Sequence, residues 1–357
     1  MNSKKKYIQL SLFLSIIIFI QLLTYFTGCE YHLTQLTMSA YYCLLIIGLC
    51  LLMGYAGQIS IGHAGFFAIG GYISAFLTTY DLSQYKDKTI LILFSKIGAA
   101  LFRQDLYGGK VLNFHPWAAA LIAIILTIII AILIGSPVLK LKGHYLAMAT
   151  LGFGIIVYRI VLGTEKFGAA DGISDIPPFP LLFGIEVNGK PIMRVWNYYI
   201  SWSIVFITMT FLINLINSRV GRALYAIHGA EDASRAMGVD TREYKLKTFV
   251  LSAVLASVGG IFLTHYNGGI GPSEASVIKS VKYVAIVAIG GMANLWGSLV
   301  MGLILNFLSL RGYFGTYDDA VFGAILIIIM LFAPEGLLKV RLFDFIKYVS
   351  FRSKKSA

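Results

Sequence analysis

Residues 54–71 read GYAGQISIGHAGFFAIGG, and six glycines (Gly54, Gly57, Gly62, Gly65, Gly70, Gly71) stand there with Gln58, Ser60 and His63 inside an otherwise apolar stretch. Glycine weakens a helix locally and frees backbone groups, which a bilayer tolerates only where they are buried in protein or line a watery cavity. The stretch therefore reads as a broken membrane helix facing a path. Gly57, Gln58, Ser60, Gly62 and His63 are the candidates to line that path. The polar side chains among them equally suit hydrogen bonds to neighbouring helices.

The rest of the chain supplies the membrane setting. Of 357 residues, 58% are hydrophobic and only 13% charged, and the mean hydropathy is +0.79. Windows with the ~20 apolar residues needed to cross a ~30 Å hydrocarbon core recur from end to end. Alternating them across the bilayer gives ten spans, near 8–27, 36–54, 60–79, 117–135, 146–162, 198–217, 248–266, 281–291, 297–310 and 320–333. The expected fold is an all-α polytopic membrane protein with about ten transmembrane helices. The short spans at 281–291 and 297–310 alternatively form one kinked helix or a re-entrant pair.

The net charge of +12 raises a nucleic-acid reading, which the placement of the charge excludes. Basic residues gather in particular loops (Lys4 to Lys6, Lys140 and Lys142, the loop 218–247, and Arg352, Lys354 and Lys355), the pattern of cytoplasmic loops. Both termini are accordingly expected in the cytoplasm. Thr27-Gly28-Cys29 after a basic start has the outline of a lipoprotein signal, but the run Ile8 to Phe26 exceeds the ~7–15 residue apolar region of a cleaved leader. It is read as the first transmembrane helix. Residues 1–35 then comprise the tail and that helix, 36–340 the main membrane domain, and 341–357 a basic tail.

Two connections are left on the outer side. In 80–116, the apolar run Ile90 to Phe102 is too short to span and is expected as an interfacial or half-inserted helix. The other, 163–197, carries ordinary turn chemistry. The later stretch IGGMANLWGSLVMGLI (Ile289 to Ile304) is also Gly-rich and punctuated by polar residues. Paired Gly-interrupted segments, one in each half, hint at an internal repeat with a substrate path between the halves.

The inward loop Ser218 to Lys247 mixes six basic with four acidic residues. From Arg222 to Met237 it is rich in helix formers, with Gly221 and Gly238 as stops. A single surface helix is expected there, exposing Ala230, Ala233 and Ala236 to a groove on a partner. Gly221, Arg222, Ala223, Glu231, Asp232, Ala233, Ala236, Met237 and Gly238 are its candidate docking residues. No phosphate-cradling loop, metal-binding spacing or catalytic constellation is found, so no catalytic residue, metal or cofactor is expected and energy must come from elsewhere. Charge at mid-membrane depth is scarce: the only clear candidate is Arg159, near the outer end of its span and able to snorkel, and this argues against proton coupling.

Four ordered stretches carry a resemblance. GYAGQISIGHAGFFAIGGY, LKGHYLAMATLGFG (Leu141 to Gly154), GRALYAIHGAEDASRAMGVDTREYKLKTFVLSAVLASVGG (Gly221 to Gly260) and IGGMANLWGSLVMG (Ile289 to Gly302) resemble the permease subunits of branched-chain amino acid ABC transporters, of the second, longer type. The resemblance covers about Tyr42 to Leu338. It implies a second, homologous permease, two cytoplasmic ATP-binding subunits and a separate binding protein outside, in a bacterial-type inner membrane. It also implies that 218–247 is the ATPase-contacting loop and that 54–71 lies near the translocation path. Ile155 and His228 depart from the Glu and Arg that many members carry. Related permeases serve urea or short amides, so those remain alternative cargoes, and an autonomous channel or secondary transporter is the alternative class.

Overall fold

The computed structural model describes residues 3–81, 100–104, 110–141, 143–181, 184–313 and 315–332. Twelve α-helices lie among the described residues. They are α1 (Ser3–Phe26), α2 (His32–Cys50), α3 (His63–Thr79), α4 (Pro116–Val138), α5 (His144–Gly163), α6 (Arg194–Ile216), α7 (Arg219–Gly229), α8 (Glu231–Ala236), α9 (Thr241–Asn267), α10 (Val277–Gly290), α11 (Leu295–Leu310) and α12 (Asp318–Phe332). Each of the ten expected spans falls on one of them, and α7 and α8 are the two extra helices of the loop. Six of the helical runs are long and apolar enough to cross a bilayer, among them the 24 residues His32–Tyr55, in which α2 continues through a π turn at Leu51–Tyr55.

The short spans are two separate helices. Gly291 (φ 97°) ends α10, and the Asn294 side chain caps α11 by accepting from the Gly297 N–H at 3.0 Å. A Cβ on Gly290 would lie 2.6 Å from Ser298 Cα, so the two helices approach at backbone contact across the break.

The core sits where α2, α3 and α9 meet, and glycine sets how closely they approach. A Cβ on Gly260 of α9 would lie 2.0 Å from the Phe67 carbonyl oxygen of α3, and one on Gly70 of α3 would lie 2.4 Å from the Ser257 carbonyl. Small residues allow such backbone approach where lipid offers no hydrophobic drive to association. His265 of α9 then joins α3 to the loop above it. Its Nδ1–H donates to the Pro177 carbonyl at 2.7 Å, and Nε2 pairs with the Ser74 hydroxyl at 2.8 Å. By contrast only 22% of the α1 window is buried against the rest of the chain, which leaves that helix facing outward.

Two sequence expectations are corrected. Of the half-inserted helix expected over Ile90 to Phe102, residues 90–99 lie outside the described residues, and Ala100–Gln104 form β1 of a hairpin with β2 (Lys110–Phe114). Antiparallel pairing satisfies the backbone there without a helix, and Asn113 anchors it by donating to the Tyr80 carbonyl at 3.0 Å. In the inward loop, one helix over 222–237 is replaced by α7 and α8, broken at Ala230 (φ −157°). Gly238 (φ 84°) is a stop, as expected. Gly221 is not: it lies inside the first turn of α7, where any Cβ would fall 1.9 Å from the Ile216 carbonyl, so its role is the tight turn out of α6.

Substituting Gly260 by leucine should force α3 and α9 apart and destabilise the chain by about 1–3 kcal/mol, the usual cost of overpacking. Valine at Gly152, where nothing lies within 4 Å, should be tolerated. Thermal unfolding of the two variants in detergent, followed by size-exclusion chromatography, checks the difference; equal losses would contradict the assigned crossing.

Candidate functional site: a junction of two helix breaks and a surface helix

The first break occupies 56–62, between the end of the α2 run and the start of α3. It begins at the surface, where Gly57 and Ile59 are exposed, and ends in the interior. His63, the first residue of α3, pairs through Nε2 with the Ser252 hydroxyl at 2.9 Å, and Ser252 is near the middle of the 27-residue α9. The chain therefore runs back into the bundle as non-helical backbone before α3 begins. Its polar groups are met within the protein. The Ile61 N–H donates to Thr150 Oγ1 of α5 at 3.0 Å, the Gln58 N–H to the Leu52 carbonyl at 3.1 Å, and Ser60 Oγ pairs with His63 Nδ1 at 2.8 Å. Gln58, Ser60 and His63 are each at most 2% exposed, and neither amide atom of the Gln58 side chain has a hydrogen-bond partner.

The glycines of this break have distinct tasks. Gly62 lies against α5, since a Cβ would fall 2.2 Å from the Thr150 carbonyl. Gly57 has φ +67°, and its added Cβ would meet the His228 ring of α7 at 3.1 Å. The sequence reading put these residues on one path; the structure places Gly57 under the loop helix and Gly62 in a helix crossing.

The second break, 291–294, meets the first. A Cβ on Gly54 would lie 2.1 Å from the Ala293 nitrogen, and the Tyr55 hydroxyl donates to the Ala293 carbonyl at 2.7 Å. Ala293 itself has φ +64°, a left-handed conformation costly to a residue with a Cβ and held by its surroundings. The two Gly-interrupted stretches, remote in sequence, are thus in backbone contact.

The third partner is α7. Ser218 caps it by accepting from the Val220 N–H at 3.1 Å, and Gly221, Leu224 and Ile227 form its buried stripe. Tyr225 meets Tyr55 edge-on with ring centroids 5.1 Å apart. One aromatic pair and the Gly57–His228 contact therefore join α7 to the first break, and Tyr55 carries the connection on to the second. Ion pairs brace α8: Glu231 bonds Lys245 of α9 at 2.5 Å, while Arg235 lies 3.6 Å from Glu231. Arg222, Asp232, Ala233, Ala236, Met237 and Gly238 are exposed, and Ala223 and Glu231 are half-buried. Of the candidate docking residues only Gly221 is buried. Sequence reasoning missed Tyr55, Tyr225 and Ala293, because side chains that meet across the fold leave no pattern in spacing.

It also missed a group of charges. Tyr42 lies near the middle of the 24-residue run His32–Tyr55, and its hydroxyl donates to Glu274 Oε1 at 3.1 Å. Lys279 Nζ bonds the same oxygen at 2.7 Å, and Lys282 Nζ bonds Asp318 Oδ2 at 2.5 Å. Charge at mid-bundle depth is therefore not confined to Arg159, which is exposed on α5. Two lysines three apart on an apolar helix were a visible signal. The expected span at 281–291 already contains Lys282, and Lys279 lies two residues before it.

Two helix breaks thus meet within a bundle of membrane-length helices, beneath the loop 218–247. The comparisons with known proteins give the family. Residues 31–330 match the family described as the permease component of the branched-chain amino acid transport system. The chain is similar to the high-affinity branched-chain amino acid transport system permease protein LivM of Escherichia coli K12, with 31% identity over 324 residues covering 85% of this chain and 68% of that one. The permease LivH of Salmonella typhimurium is 27% identical, over 85% of this chain and 92% of its own length. BraD of Pseudomonas aeruginosa is 24% identical, over 86% and 96%. No solved structure matches the chain. This chain belongs to the branched-chain amino acid transport permease family and is a multi-pass membrane permease subunit.

Replacing Gly57 by valine forces a β-branched residue into a left-handed conformation and against His228. The variant should fold, because the strain of about 1–3 kcal/mol is local, while α7 loses its seat. Protease accessibility of the 218–240 segment should rise in Gly57→Val with little change in the unfolding temperature of the bundle. An unchanged cleavage rate would contradict the contact.

Proposed function

We propose that this chain is one of two homologous permeases that together form the path of an ATP-driven importer for branched-chain or similar amino acids in a bacterial-type inner membrane. Two ATP-binding subunits on the cytoplasmic side supply the energy, and a separate binding protein delivers cargo from outside. The observation that carries the reading is the double face of the inward loop. On one side α7 touches the first helix break through Tyr225 and His228. On the other, Ala233, Ala236 and the 85% exposed Met237 are free to meet a partner.

The mechanism follows from that arrangement. A subunit that changes shape with ATP pushes on α7 and α8, which are braced to α9 through Glu231 and Lys245. The push reaches 56–62 through Gly57 and Tyr55, and 291–294 through the Tyr55–Ala293 bond. Non-helical backbone has no continuous ladder to resist such a displacement, so the breaks yield while the glycine-packed α3–α9 crossing stays fixed. Gln58, Ser60 and His63 lie along the moving segment, and Gly62 is its hinge against α5.

Chromatography of the tagged chain from its native membrane should recover a second permease and ATP-binding chains. Ala236→Glu places a charge on the docking face, outside every internal contact described, and should weaken ATPase association by roughly tenfold, on the scale of an overpacked contact. Uptake should fall with it while capture of the external binding protein is retained. Normal ATPase association and normal uptake in this variant would show that residues 218–240 are not the docking face.

A further inference from the structure

Helices α4 and α5 are joined by the short connection 139–143, yet they lean on different neighbours. α4 rests on α9: a Cβ on Gly135 would lie 2.9 Å from Leu246 Cδ1, and the Thr127 hydroxyl donates to Ser257 Oγ at 3.0 Å. α5 rests on α3, where the Phe66 and Phe153 rings meet with centroids 4.7 Å apart and a Cβ on Gly65 would reach Gly154 Cα at 3.6 Å. A groove of about 620 Å³ is left between them. Ile130 and Ile134 line it on α4, and α5 lines it from Ala149 to Val161. Tyr72 of α3 is the one lining residue with a polar side chain, and its ring packs edge-on against Phe167 with centroids 5.8 Å apart.

Depth, shape and charge together say what fills this groove. Both α4 and α5 are long and apolar enough to cross a bilayer, and the lining residues Ile156 and Ile160 are 59% and 54% exposed, so the groove opens sideways onto the surface that lipid wets. The stretch Ala149 to Val161 is about 18 Å long, and a helix of that length and ~10 Å across would occupy roughly 1,400 Å³. That is more than twice the groove, so its occupant is thinner than a helix. Nothing lies within 4 Å of a Cβ built on Gly152, in the first half of the stretch, so the space there is open. At the end remote from the basic connection stand two cations. Arg159 precedes the lining residue Ile160, and Lys166 precedes the lining residue Phe167. Both are exposed, and neither side chain has a hydrogen-bond or ion-pair partner among the described residues. Glu165 is exposed beside Lys166, which leaves the group one positive charge in excess. An arginine near the end of a lipid-facing helix reaches for the interface, and its planar fork matches a phosphate.

We propose that this groove is a phospholipid site, with one acyl chain lying along α5 between α3 and α4 and the phosphate held at the mouth by Arg159 and Lys166. Apolar walls at membrane depth and a basic group at the interface end are the two requirements for specific lipid recognition between helices. The site also gives Arg159 a task, since a charge on the lipid-facing side of an apolar helix is costly without a partner. The bound chain fills the gap beside α5 and so steadies it. Thr150, which accepts from the Ile61 N–H of the first break, is on that helix two residues from Gly152. A lipid held here therefore fixes the wall against which the break is seated. The inference does not depend on the cargo or on the energy source.

The test uses the full chain with its copurifying subunits, delipidated in detergent and read by native mass spectrometry. Palmitoyl-oleoyl phosphatidylglycerol is titrated in, and in parallel the diacylglycerol with the same chains, which lacks the phosphate. The parent should take up a tightest phosphatidylglycerol that binds roughly tenfold better than the diacylglycerol, the scale of one charged hydrogen bond. Arg159→Gln/Lys166→Gln should weaken that lipid by a similar factor and leave the diacylglycerol unchanged. Gly152→Phe, which puts a ring into the open groove, should weaken both lipids at least tenfold with no fall in unfolding temperature. The double variant alters only exposed side chains, so it reads the phosphate contact even where Gly152→Phe fails to assemble. Equal binding of the two lipids by the parent would overturn the site, as would unchanged phosphatidylglycerol binding in the double variant or in assembled Gly152→Phe. Crosslinking of Gly152→Cys to a copurifying permease would overturn it as well, by putting a protein helix where the acyl chain is placed.

Discussion

Backbone N–H and C=O groups inside an apolar bundle have no water to turn to, so wherever this chain leaves the helix within its bundle the protein itself must supply their partners. Three departures are arranged around that constraint. Residues 56–62 draw on Thr150 and on the end of the α2 run. Residues 268–276 pair with the outer loop, where Ile173 and Ile270 exchange N–H···O bonds of 3.0 and 2.9 Å. Residues 291–294 lean on Tyr55 and on the Asn294 cap. Each break is therefore held by a different part of the chain, and a shift in any holder is felt at the break.

Under the importer reading proposed above, that dependence separates a fixed part of the molecule from a movable one. The α3–α9 crossing is closed by Gly70, Gly259 and Gly260 at backbone contact, with His265 tying it to the outer loop. Packed cores of this kind are bistable rather than compliant, so displacement concentrates where contacts are polar and few. The helix breaks are also in backbone contact, Gly54 with Ala293 and Gly62 with Thr150, but they lack a continuous helical ladder, and α7 sits on the first of them through one aromatic pair and one glycine contact.

Much of this was legible in the sequence. All ten spans fall on helices, because apolar length is a local property that burial does not alter. A break within 54–71 was visible from its glycines, although it occupies only 56–62 and Gly65, Gly70 and Gly71 lie inside α3, and Gly238 was visible from its position after a run of helix formers. What was not legible depends on who meets whom. Gly57 and Gly62 look alike in sequence yet face different elements, and only the fold tells that one seats α7 and the other crosses α5. The single helix expected at 222–237 divides at Ala230, a residue with high intrinsic helix propensity, because the chain there turns to bring Glu231 onto Lys245. Tertiary contact overrode a local preference. The lysines of α10 were visible in the sequence but their pairing was not, because Glu274 and Asp318 lie in segments that sequence alone reads as loop ends.

The central claim is that this bundle moves cargo only when driven from outside through α7 and α8. The most direct measurement is leucine uptake into sealed vesicles that hold the chain with its second permease, loaded with ATP, with and without the ATP-binding subunits and with binding protein outside. The account predicts uptake that requires the ATP-binding subunits and trapped ATP together. Sustained leucine flux through the permeases in their absence would contradict it and return the molecule to the class of autonomous channels or secondary transporters.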